Sequence, residues 1–277
     1  MAYAVLGPSG TFTEEAAWLY WGKNAELLVV DSIPCLFEMV ESGRAEGGLV
    51  PLENNLAGTI QPTLECLQKR AVFINGEISM TIHQHLMTRH SYRLEDIELL
   101  ISHPTALLQC EGFIRSHLAG ARTEICNSTA RAAQMLVAEE RRAAAIGNQH
   151  SAHLYGLKII SRDIADHSNL TRFIHISRQS GQQGGEKASL VFTLFDRPGA
   201  LYQALGIFAR QNLNLCKIES RPNRDSSLFS FYVEVEMDSD QELNPLLEEL
   251  RQSCQECKYL GSFNQLKGVS PIDFPAP

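Results

Sequence analysis

A surplus of basic residues is the first thing this sequence lacks: Lys and Arg number 24 against 32 Asp and Glu, for a formal net charge of −8. Nucleic acid and anionic membrane surfaces recruit excess Lys and Arg, so broad binding to either is excluded as a main task. The opening stretch MAYAVLGPSGTF has no basic leader and meets Gly7-Pro8 after a short apolar run, too little for a signal peptide or a membrane span. Cytoplasmic residence is the expectation. Cysteine is scattered and odd in number, seven in all, and the one close pair, Cys254 and Cys257 in a helix-like stretch, has no second CxxC and no neighbouring His. A disulfide scaffold and a zinc ribbon are therefore not expected. His83 with His85, and His150 with His153, have no evident third ligand, so no metal is called for.

What is present is enough to build a core. The chain has 277 residues, 44% hydrophobic and 20% charged, which fits two domains. SRQSGQQGGEKA, residues 177 to 188, lacks aromatic and branched aliphatic residues and reads as a linker. Before it, the apolar runs YAVLG, LLVV, GGLVPL and IELLIS alternate with helix-like segments, the pattern of an α/β layer structure. After it, SLVFTLF, GALYQALGIFARQ, LNLCKIES, LFSFYVEVEM, QELNPLLEELRQSC and KYLGSF read as βαββαβ, a ferredoxin-like unit. Alternation in FSFYVEVEM places Phe229, Phe231, Val233 and Val235 on one face, with Ser230, Tyr232, Glu234 and Glu236 on the other.

Four stretches of the first domain read as helices with polar or glycine-rich starts. GPSGTFTEEAAWLYW offers Thr11 as N-cap with Glu14 at capping-box spacing, after a flexible loop from Gly7 to Gly10. ENNLAGTIQPTLECL opens with Asn54 and Asn55, SHPTALLQC with Ser102 and Thr105, and NSTARAAQMLVAEE with Ser128 and Thr129. Such ends present unpaired N–H groups that can hold a carboxylate without Lys or Arg, although ordinary capping also explains each residue choice. Glu53 in VPLENNLAGT is either a buried structural acid or a proton donor with a raised pKa. DHSNLTRFIHI sets a hydroxyl and a fixed charge, Thr171 and Arg172, directly ahead of an apolar strand.

Taken together, GPSGTFTEEAA, VPLENNLAGT, SHPTALLQC, NSTARAA, AAIGNQHSAHLYGL and NLTRF, followed by GALYQAL and IESRP, resemble the prephenate dehydratase family with a C-terminal ACT domain. The resemblance implies a two-lobed, periplasmic-binding-protein-like (type II) α/β catalytic domain over residues 1–180. Lobe 1 would hold about 1–76 and 167–180, and lobe 2 about 77–166. A ferredoxin-like ACT domain would follow over 188–270. Thr171 and Arg172 would lie on the return strand at the cleft floor. Asn55, where the family more often has Ser, and Cys216, where it more often has Thr, depart from its pattern. The chain's length leaves no room for the preceding chorismate mutase domain of some relatives.

In such a family prephenate loses CO2 and water to give phenylpyruvate, with no metal or organic cofactor. Thr171, Arg172 and Glu53 are the expected catalytic residues. Thr171 would hydrogen-bond the leaving oxygen, or relay to it a proton from a neighbour such as Glu53. Arg172 would pair with a substrate carboxylate through its planar fork, or else orient Thr171. Ser9, Gly10, Thr11, Asn54, Asn55, Ser128, Thr129 and Asn169 are the expected pocket donors, and Phe173 packs the floor. Phenylalanine is the expected effector, held by Gly199, Ala200, Leu201, Glu219, Ser220 and Arg221 of paired ACT domains in a homodimer or homotetramer. Arogenate dehydratase, and a non-catalytic small-molecule binding protein of the same fold, are the alternatives. A non-aromatising prephenate decarboxylase would not be expected to keep Thr171.

Overall fold

A computed structural model describes residues 2–181, 184–222, 228–238 and 243–266. The expected end of the second domain, residue 270, lies outside the described residues, as do two residues of the linker. The first sheet is built from β1 (Ala2–Leu6), β2 (Glu26–Val30), β3 (Gly47–Asn54), the short β4 (Gly58–Thr59) and β5 (Phe73–Thr81). Helices α1 (Phe12–Trp21), α2 (Ile33–Glu41) and α3 (Gln61–Lys69) connect them. The chain then leaves for a second sheet of β6 (His85–Thr88), β7 (Leu99–Ser102), β8 (Arg122–Ile125), β9 (Ala143–Gly147) and β10 (Lys158–Ser161). Its helices are α4 (Pro104–Gln109), α5 (Glu111–His117), α6 (Thr129–Ala138) and α7 (Gln149–Leu154).

The chain returns through β11 (Leu170–Ser177), which lies between β3 and β5 and runs antiparallel to both. Because β5 keeps its ladder with β11 as far as Thr81 opposite Leu170, the outward crossing falls after residue 81 rather than near 77. Two crossings between two sheets give the expected two-lobed α/β architecture, with β11 central to the first lobe.

The C-terminal unit contains β12 (Lys187–Thr193), α8 (Ala200–Arg210), β13 (Leu215–Pro222), β14 (Phe229–Glu236), α9 (Asn244–Ser253) and β15 (Glu256–Phe263). Its antiparallel sheet has the order β13-β14-β12-β15, the ferredoxin-like arrangement expected from the pattern. Cys254 stands at the end of α9 and Cys257 on β15, so the two belong to different elements. Burial pushes their thiols up to about 12 and about 11, away from nucleophilic chemistry at neutral pH.

The two faces of this sheet are buried by different partners. Phe231, Val233 and Val235 share a core with Ala204, Ile207, Phe208, Leu246 and Leu250 of α8 and α9. On the opposite face Val191, Tyr232, Leu260 and Phe263 join the core of the first lobe with Leu64, Leu67 and Ile74. Lys258 Nζ fastens the seam by donating to the carbonyls of Leu67 (2.5 Å) and Arg70 at the end of α3, where unpaired carbonyls attract a cation. β16 (Gln265–Leu266) then adds to the edge of the first sheet beside β5. Among the described residues no helix is long and apolar enough to cross a membrane.

His175 on β11 gives this fold an acid sensitivity. It packs among the rings of Tyr20 and Trp21, and its Nδ1 lies 3.4 Å from the Tyr20 hydroxyl. Burial pushes the imidazole down to about 4, whereas it titrates near 6.5 in an unfolded chain. Between those values the unfolded state binds a proton that the folded state refuses, so stability falls as pH drops from about 6.5 to about 4, by roughly 3 kcal/mol. His175→Gln is expected to flatten that limb of the stability curve. Urea midpoints at pH 7 and pH 4.5 measure it, and an unchanged difference between them would count against this assignment.

Candidate active site

Strand alternation decides which residues of β11 can meet a ligand, since successive side chains point to opposite faces. Thr171 and Phe173 line a cavity of about 310 Å³ between the lobes, at the lower end of the range for small-molecule clefts. Helix starts converge on it. Thr11, Phe12 and Thr13 come from the start of α1, His103 and Thr105 from α4, and Asn127, Ser128 and Thr129 from α6. Among the described residues the lining contains no Lys, Arg, Asp or Glu, so backbone N–H groups and helix dipoles are the positive features these residues offer an anion.

The floor is an amide and hydroxyl network. Asn54 Nδ2 donates to Thr171 Oγ1 (2.8 Å) and to Asn169 Oδ1 (2.5 Å), while Asn54 Oδ1 accepts from the N–H groups of Leu56 and Ala57. Asn169 Nδ2 donates to Gln109 Oε1 (2.8 Å), which also accepts from Gln84 Nε2 (3.3 Å). Thr171 Oγ1 accepts within this network, which leaves its own proton to donate toward the cavity. Phe173, only 2% exposed, closes the floor from below.

Cap chemistry explains how the helix starts are held. Thr11 Oγ1 accepts from Glu14 N–H (3.3 Å) and donates to the Leu6 carbonyl (2.8 Å). The Glu14 carboxylate reaches back to Gly10 N–H and lies 3.1 Å from His150 Nε2 in the other lobe. It thus serves the residue before the cap as well as the lobe seam. Ser128 Oγ accepts from Arg131 N–H (3.0 Å). His103 caps α4 by accepting Thr105 N–H at Nδ1 (3.2 Å), which places its ring proton on Nε2. Burial lowers its pKa below the usual imidazole range, so the ring is neutral at pH 7.

Thr11, Asn54, Ser128, Thr129, Asn169, Thr171 and Phe173 thus meet at one cavity, and the other expected residues of the catalytic domain stand elsewhere. Ser9 and Gly10 sit at the seam of the lobes, where the Ser9 carbonyl accepts from Tyr155 Oη (2.9 Å). A Cβ on Gly10, whose φ is 94°, would come within 3.2 Å of Ser151 Cβ, so the residue serves close approach rather than ligand contact. Asn55 spends its side chain on the return segment, donating to the Ser168 carbonyl (3.1 Å) and accepting from Leu170 N–H (2.8 Å). Asn54 and Asn55 also do not open a helix, since α3 starts at Gln61 without a side-chain cap. Ser102 is fully buried and donates to the Ile146 carbonyl.

Arg172 and Glu53 are the larger corrections. Both side chains leave the opposite face of the sheet, where Arg172 Nη1 lies 3.0 Å from Glu53 Oε2, and Nη2 lies 2.5 Å from Glu77 and 2.9 Å from Glu234. Arg172 is therefore not placed to pair with a carboxylate in the cavity. Burial works against its charge, but Glu234 and Glu77 hold its pKa above the ordinary value. For Glu53 burial works upward, yet Lys217 and then Arg172 keep the carboxyl below its usual range, so it is ionised at neutral pH and no proton donor.

His103, Gln84 and Gln109 line the cavity and escaped the sequence reading. One signal was available for Gln109: it follows Thr105 by four residues, hence shares its helical face. Of the expected effector residues, Gly199 caps α8 with φ 79°. Glu219 on β13, an edge strand of its sheet, accepts from Arg221 Nη2 (2.5 Å) and from Thr59 Oγ1 of β4 (3.3 Å).

A family profile described as prephenate dehydratase matches residues 3–181, and one described as ACT domain matches residues 188–255. The chain is 36% identical to a bifunctional chorismate mutase/prephenate dehydratase of Aquifex aeolicus, over 94% of this chain and 72% of that protein. It is 34% identical to a prephenate dehydratase of Methanocaldococcus jannaschii, over 92% of this chain and 95% of that one. Among solved structures, prephenate dehydratase of Arthrobacter aurescens in complex with L-Phe is 29% identical with a TM-score of 0.88, covering 98% of this chain and 94% of that one. GqqA, described as a novel type of quorum quenching acylase, is 28% identical with a TM-score of 0.86, covering 96% and 99%.

Proposed function

The chain belongs to the prephenate dehydratase family, and from that premise we propose that the cleft floored by Thr171 and Asn54 takes prephenate and releases phenylpyruvate, CO2 and water. The carboxylate on the ring leaves as CO2, and the electron pair of the broken C–C bond enters the ring. The ring hydroxyl departs with its own bonding pair and takes up a proton that originates in solvent, to become water. Aromatisation makes the step downhill, so the protein's work is to orient a dianion and ease the departure of the hydroxyl.

The observation that carries this reading is Asn54 Nδ2 donating to Thr171 Oγ1 in a cavity whose described lining carries no Lys, Arg, Asp or Glu. The contact turns the hydroxyl proton toward the cavity, as a donor whose bond to the leaving oxygen strengthens as negative charge grows there. The helix starts of α1 and α6 take the substrate's carboxylates. Acyl transfer, the activity named for the acylase relative, calls for a hydroxyl that donates to a base. Here the floor hydroxyl is held by an amide donor instead.

Phenylalanine is the effector in this reading, taken up between ACT domains of a homodimer or homotetramer. Gly199, Ala200 and Leu201 at the start of α8 would hold it together with Glu219, Ser220 and Arg221. Exposed Tyr202 and Ile218 provide apolar surface on the same elements. Purified protein supplied with prephenate is expected to form phenylpyruvate and to slow when phenylalanine is added. Turnover of arogenate alone, or release of an acyl group from an N-acyl substrate with no phenylpyruvate formed, would overturn the assignment.

A further inference from the structure

The reverse side of the catalytic floor carries a cluster of ions drawn from both halves of the molecule. Glu53, Glu77 and Arg172 come from the two-lobed domain, and Lys187, Lys217 and Glu234 from the C-terminal unit. Besides the three contacts of Arg172, Lys187 Nζ lies 2.6 Å from Glu77 Oε1 and Lys217 Nζ lies 2.8 Å from Glu53 Oε1. Tyr232 Oη donates to Glu234 Oε1 (2.7 Å). Two acids face one base on the catalytic side, and one acid accompanies two bases on the other, so each half completes the other's charge.

The members of this cluster are chain neighbours of the floor residues. Glu53 precedes Asn54, Arg172 follows Thr171, and the ladder pairs Thr171 with Asn54 and Arg172 with Glu53. Directly after Arg172 the register between β11 and β3 slips. A bulge of this kind loosens the ladder on the β3 side, while β11 keeps its register with β5 from Leu170 to His175, so Asn54 is the member of the Thr171 and Asn54 pair that strand pairing holds less firmly. The Arg172 fork joins β3, β5, β11 and β14 at that slip. Buried Arg172 Nε has no hydrogen-bond partner among the described residues, so the guanidinium is held by carboxylates at its outer nitrogens alone.

We infer that this cluster is a positioning device, in which Glu234 of the C-terminal unit acts through Arg172 to set where the Thr171 hydroxyl stands against Asn54. The inference rests on the dehydratase reading and deepens it. The helix starts that would hold the substrate's carboxylates belong to α1 and α6, away from the cluster. Displacing Glu234 therefore changes turnover and spares affinity. The unit's effector segment is joined to the same place: Lys217 donates to Thr59 Oγ1 (3.2 Å) as well as meeting Glu53, and Glu219 accepts from that hydroxyl. A shift of β13 or β14 thus bears on Glu53, Thr59 and Arg172 together.

The test compares the full-length chain with Glu234→Gln, which keeps the shape and removes the charge. Turnover of prephenate is expected to fall about tenfold, with KM within about twofold. In a Thr171→Ala background the same substitution is expected to change the residual rate by less than about twofold, because the group it positions is gone. Wild-type kcat in the single variant, or a matching fall in both backgrounds, overturns the positioning role. Absence of prephenate turnover in the wild type overturns the dehydratase reading instead. Should Glu234→Gln lose its cooperative unfolding transition, Tyr232→Phe carries the test: it removes the hydroxyl that donates to Glu234 Oε1 and leaves every charge of the cluster in place. A loss of about threefold in kcat is then expected, and an unchanged kcat overturns the inference.

Discussion

Thr171→Ala is expected to lower kcat for prephenate by about 10²–10³-fold while leaving KM within about twofold. The asymmetry follows from what the hydroxyl does. In the ground state the leaving oxygen is a neutral alcohol, and a second alcohol beside it adds little to binding. As the C–O bond breaks, negative charge collects on that oxygen, and a donor already aimed at it becomes a charge-assisted partner. Folding is expected to change little, because Asn54 Nδ2 keeps Asn169 as an acceptor and its Oδ1 keeps two backbone donors. The fold cost is about 1 kcal/mol for one lost hydrogen bond. Thr171→Ser retains the donor without the methyl that limits its rotation, so a loss of about tenfold is expected there, between the two extremes. Steady-state kinetics on both variants, with melting temperatures within about 4 °C of the wild type, is the check. An alanine variant with near-normal kcat would remove Thr171 from the mechanism, whatever the other residues of the floor do.

Strand and helix patterns made the architecture legible because they are written in consecutive residues, whereas the faces on which elements meet are not. FSFYVEVEM shows its alternation plainly, and Phe231, Val233 and Val235 do cover the helices of their own unit. What polarity does not reveal is that the other face is also buried, with Tyr232 at 3% and Glu234 at 1% exposure. A Glu on a half-apolar strand reads alike whether water or an Arg from another domain lies opposite. The same alternation should have separated Thr171 from Arg172. Their adjacency in the sequence suggested a common task, but neighbouring residues of a strand serve opposite faces. Helix starts were visible as caps at Thr11 and Ser128 because the side chain and the amide it binds are three residues apart. Asn54 resembled a cap while its amide was bound across the sheet to residues 115 and 117 positions away, a distance that no local pattern encodes.

The largest loss of stability is expected from Glu77→Ala, about 3–5 kcal/mol, out of a total that for most domains lies between about 5 and 15 kcal/mol. Glu77 has a fully buried side chain and receives both Arg172 Nη2 at 2.5 Å and Lys187 Nζ at 2.6 Å. Bringing three charges out of water is costly, and their mutual attraction offsets the cost only while all are present. Removing the carboxylate leaves Arg172 leaning on Glu53 and Glu234 and leaves Lys187 without this partner, in a seam where water has little room. Glu38→Ala is the contrast. The Arg44–Glu38 pair is nearly as short, at 2.7 Å, but its side chains are 55% and 56% exposed, and solvent-screened pairs of this kind contribute about 0–1 kcal/mol. Thermal unfolding should therefore show a melting temperature lowered by roughly 10 °C for Glu77→Ala and by less than about 2 °C for Glu38→Ala. Because Glu77 belongs to the first lobe while Lys187 belongs to the C-terminal unit, a further sign is expected: the wild type should unfold in one transition and Glu77→Ala in two, one for each half. Equal melting temperatures for the two variants would mean that water reaches the seam and that the cluster is worth no more than a surface pair.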